Sequence, residues 1–156
     1  MNPLLVIGLG NPLMGDDGIG WHVAGRLAGD VRLPADAEVI CGGTDLLRCA
    51  AQIEGRRRVV LVDAIQDDAP PGTVSVVGDD AADLCQGHAH HLSAGQAMRL
   101  LRLTMPVCFT LLGVSVPSAR MASGLSPALC AWAMEPTPMA TQHAMMQSFR
   151  YLISHF

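Results

Sequence analysis

An α/β fold, with helices packed on a mostly parallel sheet, is what this sequence predicts, and three observations carry the expectation. Apolar runs of strand length alternate with amphipathic stretches, the pattern of successive βαβ units. The run Val59-Val60-Leu61-Val62 is apolar throughout, as a central strand covered on both faces would be. Glycines follow the first two strand-like runs, at Gly8 and Gly10 and again at Gly42-Gly43, where a strand must give way to a helix. A chain of 156 residues suits a single domain over 1–156, since roughly 100–200 residues per domain is usual.

Each element has its own local reason. Leu4–Leu9 reads as a buried first strand. From Asp17 to about Ala28, Ile19, Val23 and Leu27 recur at four-residue spacing, which is one face of a helix. Ala37–Cys41 is a short second strand ending at Gly42-Gly43, after which Thr44 is placed to cap a helix carrying Leu46, Leu47 and Ala50. Arg58–Val62 is the third strand, and Pro70-Pro71-Gly72 turns the chain into a fourth at Thr73–Val77. Polar Gly78–His91 is a long candidate loop, of the kind that often carries function. A helix follows with Leu92, Gln96, Met98 and Leu100 to Leu103 on it, and then a last strand at Val107–Val114. Ser126-Pro127 suits the N-cap and first turn of a short helix to Met134. Met145, Met146, Phe149, Leu152 and Ile153 are expected to face the core from a terminal helix. Repeats, low-complexity segments and dividing linkers are absent from the sequence.

Composition excludes several classes. Half of the residues are hydrophobic, yet Gly, Pro or charge breaks every apolar stretch well before the ~18 residues of a membrane span. The start, Met1-Asn2-Pro3-Leu4-Leu5, has neither a basic leader nor a small-residue cleavage site, so a cytoplasmic protein without membrane insertion is expected. Five widely spaced cysteines with no C-x-x-C pair argue against a disulfide framework and a cysteine zinc site, and core packing is their expected fate. A net charge of −4 gives no support to a nucleic-acid partner. Arg56-Arg57-Arg58, the one basic run, is expected to be a solvated strand entrance.

The chemistry concentrates in the first loop, Gly8-Leu9-Gly10-Asn11-Pro12-Leu13-Met14-Gly15-Asp16-Asp17-Gly18-Ile19-Gly20. A dinucleotide fingerprint would need a third Gly where Leu13 stands, and two aspartates at a helix N-terminus would repel a pyrophosphate. A phosphate-binding P-loop is also excluded, as the chain has no lysine. One aspartate satisfies the ordinary capping role at a helix start, so the second needs another reason. Asp63 follows the third apolar run, at the carboxyl edge where open α/β sheets bind ligands. If the first and third strands are neighbours, Asp17 and Asp63 meet over one crevice, and a cation or a shared proton is expected between them. The cluster Gly87-His88-Ala89-His90-His91 closes the long loop. A surface histidine turn is its plainer reading, but one imidazole with two carboxylates makes an O,O,N set for a borderline ion such as zinc or nickel.

Taken together these residues resemble the hydrogenase maturation endopeptidases, the proteases that trim the large subunit of nickel–iron hydrogenases. The first loop is similar to the family's G-x-G-N-x-L-x-x-D-[DE]-x-x-G opening. Gly42-Gly43-Thr44, Val62-Asp63-Ala64-Ile65, Pro71-Gly72-Thr73-Val74, and Leu112-Gly113-Val114 with Gly124-Leu125-Ser126-Pro127 match further family segments in order. The resemblance implies a single-domain three-layer sandwich: a twisted, mostly parallel five-stranded sheet with helices on both faces. It implies one endoproteolytic cut, removing the C-terminal extension of the large-subunit precursor after nickel insertion, with that precursor as partner and the enzyme a monomer. It also implies a metal-binding triad of Asp17, Asp63 and one of His88, His90 or His91. That triad would meet nickel carried by the precursor, with zinc or another divalent ion able to occupy it in isolated protein. The family's apolar register after the ligand histidine fits His90, which is followed by Leu92, Ala94, Met98 and Leu101. Cys41 stands where the family commonly has Asp, and Leu46 where it often has Gly.

Two other families of activity share parts of this pattern. Peptidyl-tRNA hydrolase opens with a similar strand and G-L-G-N-P, but its Thr-Arg-His-Asn segment is missing here. A non-catalytic nickel-sensing chaperone would use the same triad without cutting. The sequence contains no G-x-S-x-G elbow and no recognisable Cys/His motif, so attack by water on the peptide bond is expected.

Overall fold

The structure is a computed structural model that describes residues 4–30, 33–77, 92–117 and 124–134. In chain order the elements are β1 (Leu4–Leu9), a 3-10 turn (Gly15–Gly18), α1 (Ile19–Leu27), β2 (Glu38–Gly43), a second 3-10 turn (Leu46–Cys49) and α2 (Ala50–Ile53). There follow β3 (Arg58–Ile65), β4 (Val74–Val77), α3 (Ala94–Arg102), β5 (Cys108–Ser115) and α4 (Pro127–Met134). The five strands form one sheet in the order β2-β1-β3-β5-β4, parallel except for β4, which runs antiparallel to β5 at the edge.

The sheet is the middle of three layers. On one face Leu4, Val6, Val60, Val62, Leu112 and Val114 pack with Ile19, Val23 and Leu27 of α1 and Leu129 of α4. On the other, Leu5, Ile7, Leu9, Leu61 and Leu111 pack with Ile53 of α2 and with Ala97, Met98 and Leu101 of α3. The four-residue spacing in α1 thus marks its buried stripe. The unbroken apolar run of β3 is buried on both faces. Each fully buried Leu, Ile or Val here contributes roughly 1.5–3 kcal/mol relative to exposure.

Local differences from the sequence expectations have local causes. Asp45, not Thr44, starts the second helical segment, its Oδ1 accepting the Leu47 N–H at 3.0 Å. Leu92 lies outside α3, because Ser93 and Gln96 form a reciprocal capping box and set the start at Ala94. The Ser126 hydroxyl does not cap α4: it is buried without a hydrogen-bond partner among the described residues. Cys49 is buried as expected, but Cys41 and Cys108 are exposed, one on the edge strand β2 and the other at the first position of β5. Cys41, Cys49, Cys108 and Cys130 form no disulfide among the described residues. In the basic run, Arg57 is exposed while Arg56 pairs with Glu38 and donates from Nε to the Gln52 carbonyl at 3.0 Å, tying the β3 entrance to β2. Gly78–His91, Cys85 and the expected terminal helix lie outside the described residues. No described helix is long and apolar enough to cross a membrane.

Candidate active site

The strand order puts the crevice between β1 and β3. From β1 the chain runs out to β2 on one side, then returns to β3 on the other. The helix after β1 packs on one face of the sheet and the helix after β2 on the opposite face. The carboxyl ends of β1 and β3 therefore flank a topological switch point, where open α/β sheets bind ligands.

Close backbone approach brings the first loop down onto that point. A methyl on Gly8 would lie 2.0 Å from the Gly20 carbonyl oxygen. One on Gly20 would lie 2.2 Å from the carbonyl of Leu9 and 2.3 Å from that of Val62. Only bare glycines let the first turn of α1 sit directly on the ends of β1 and β3. Asp16 and Asp17 lie in the 3-10 turn just before this contact, so α1 begins at Ile19 and not at Asp17 as the spacing suggested.

The two aspartates divide their work. Asp16 is buried, at 5% exposure, and its Oδ1 accepts the Ser126 N–H at 2.6 Å from the start of α4. Asp17 is half-buried, and its Oδ2 accepts the Asn11 N–H at 2.8 Å across the loop. The N-cap position of α1 is Gly18, not either aspartate. Asn11 also fixes the loop's tip, its Oδ1 accepting the Leu13 N–H at 3.0 Å.

Asp63 lies within β3, which runs on to Ile65, and not after a strand ending at Val62. The extension follows from its neighbour: β5 pairs with β3 through Asp63↔Gly113 and on to Ile65↔Ser115, whereas the β1 pairing stops at Gly8↔Val62. Asp63 thus stands one residue past the last β1 partner, where the first loop rises away. Burial pushes its carboxyl up to about 7, the Ala64 N–H at 2.9 Å pulls it back in part, and the charge of Asp17 raises it further. That last contribution places Asp17 and Asp63 within electrostatic reach over one crevice.

His88, His90 and His91 lie outside the described residues. Their continuation is described. Leu92 and Ser93 lead into α3, whose buried residues pack with Leu61 and Ile65, two positions either side of Asp63 and on its face of the sheet. Among the described residues no three His, Cys, Asp or Glu side chains group to hold a metal ion. Asp17 and Asp63 fit such a role as oxygen donors, since a cation between them would offset both their repulsion and the burial of Asp63. Burial and the nearby charge of Asp45 push the Cys49 thiol up, which leaves it a poor thiolate nucleophile.

No local pattern marks Asp16 for a role beyond capping. Its partner is 110 residues away.

Comparison with known proteins agrees with this architecture. The sequence model of the family described as HycI, hydrogenase maturation protease, matches residues 21–134. The chain is 29% identical over 130 residues to hydrogenase 2 maturation protease of Escherichia coli strain K12, covering 80% of this chain and 79% of that protein. It is 34% identical over 77 residues to hydrogenase expression/formation protein HupD of Rhodobacter capsulatus, covering 49% of this chain and 37% of that protein. Among solved structures, hydrogenase maturating endopeptidase HybD from E. coli superposes with a TM-score of 0.72 at 26% identity, covering 97% of this chain and 93% of that one. NiFe hydrogenase maturation protease HybD from Thermococcus kodakarensis gives 0.66 at 26% identity, covering 94% and 97%. The chain belongs to the hydrogenase maturation protease family.

Proposed function

We propose that this protein is an endopeptidase that removes the C-terminal extension of a nickel–iron hydrogenase large-subunit precursor once nickel has been inserted. The observation that carries the reading is the convergence of Asp17 and Asp63 at the switch point between β1 and β3. Nickel belongs to the substrate. Asp17 and Asp63 would offer it oxygen, and His90 an imidazole nitrogen, in a set that leaves positions on the ion for the precursor's own ligands. Zinc or another divalent ion would occupy the same set in isolated protein. The ion supplies positive charge that draws the loaded precursor into the crevice.

The chain's own residues would handle the proton. Through a carboxylate oxygen not engaged by the ion, Asp63 would accept a proton from the attacking water and return it to the departing amine. The Asn11 N–H holds the Asp17 carboxylate in a fixed orientation throughout. We place the protein in the cytoplasm as a monomer whose partner is the precursor.

The test is a cleavage assay with purified precursor, loaded or nickel-free, read by mass. Shortening of the loaded form alone supports the reading. Equal processing of both forms contradicts the nickel requirement, and binding without shortening favours the chaperone.

A further inference from the structure

The first loop carries two neighbouring aspartates, and of the two it is Asp17 whose charge reaches Asp63. Asp16 is buried, and its Oδ1 lies 2.6 Å from the main-chain nitrogen of Ser126. Ser126 immediately precedes α4, and Leu129 in the first turn of that helix is fully buried in the cluster that also holds Ile19 and Val23 of α1. The acceptor of this bond is therefore in the first loop, and its donor is fixed to the sheet by α4. Asp16 and Asp17 share one short 3-10 turn, Gly15–Gly18, so a shift of one carries the other. On its far side Asp17 is held by the Asn11 N–H at 2.8 Å.

We propose that Asp16 is a positioning residue: its hydrogen bond to the Ser126 N–H locks the first loop onto the start of α4 and so holds Asp17 over the crevice. What the bond requires of residue 16 is an acceptor oxygen of the right reach. A carboxylate gives it with charge assistance, and a carboxamide of the same length gives it without. A methyl group leaves a part-buried N–H without its acceptor and the turn free to swing.

Amide hydrogen exchange tests this directly, because the Asn11 N–H reports whether Asp17 is in place and the Val60 N–H, deep in β3, reports global opening. In Asp16→Ala, exchange at Asn11 should quicken by about tenfold or more relative to Val60. In Asp16→Asn the protection at Asn11 should largely return. If the alanine variant does not fold, Asp16→Ser serves the same comparison, since its shorter hydroxyl does not reach Ser126. Equal protection at Asn11 in the wild type and the shortened variants, or no recovery in Asp16→Asn, overturns the proposal. The consequence for turnover rests on the proposed function. There kcat on loaded precursor should fall in Asp16→Ala with KM little changed, and recover in Asp16→Asn. Should the wild type not cut the precursor, that reading fails, while exchange at Asn11 still decides the role of Asp16.

Discussion

The charge of Asp17 acts on Asp63 across the carboxyl ends of β1 and β3, and adds to the burial that lifts the Asp63 carboxyl to about 7. Two residues 46 positions apart in sequence thus share one electrostatic environment. A cation or a proton between them relieves a cost that the fold itself creates.

That cost has a sign in pH. The Asp63 carboxyl has its ordinary value, 3.8, in the unfolded chain and about 7 in the folded protein. The folded state therefore holds the extra proton between these values, and stability falls as pH rises through the window, levelling off above it. Asp63→Asn removes the titration. The variant should be more stable than wild type at pH 8 by roughly 1–3 kcal/mol, with the gain vanishing towards pH 4. Denaturant unfolding of both proteins across this range checks it. A constant difference would show that burial of the charge is not the cause.

The seat of α1 gives a second prediction. Gly20 has no room for a methyl between the carbonyls of Leu9 and Val62, and both obstacles are backbone. Gly20→Ala should destabilise by roughly 1–3 kcal/mol or more, because the helix or the strand ends must move. The same displacement lifts the first loop, so precursor processing should fall further than the loss of folded protein explains. Thermal unfolding and cleavage rate, measured on the same preparation, separate the two effects.

Much of this architecture was legible in the residues. The apolar runs of β1 and β3 declared buried strands, and Ile19, Val23 and Leu27 declared the inner stripe of α1. Asp17 and Asp63 were readable as a pair because β1 and β3 are neighbours, as expected. What was not legible depended on partners far away in sequence. The extension of β3 past Val62 needs β5 beside it, and the burial of Asp16 needs Ser126. Caps were misread for a subtler reason: Thr44 and Asp45 are both good cap residues, and only the backbone geometry chose Asp45.

The histidine cluster supplies a third prediction. Replacing His90 by Ala should lower processing of loaded precursor by at least about a hundredfold, as loss of a ligand or of its supporting contacts does. The same change at His88 or His91 should leave it within a few-fold. Cleavage rates of the three variants check this. Full activity in His90→Ala with loss at a neighbour would contradict the register that singles out His90.

If Asp17 and Asp63 together make this protein a processing protease, cleavage of loaded precursor must depend on both. Nickel-loaded precursor is incubated with wild type, Asp17→Ala and Asp63→Ala, each confirmed folded by thermal unfolding, and the precursor mass is followed with time. Wild type should release one C-terminal fragment, and each variant should be slower by at least about three orders of magnitude, a loss of about 4 kcal/mol of transition-state stabilisation. Cleavage by either folded variant at the wild-type rate would contradict it.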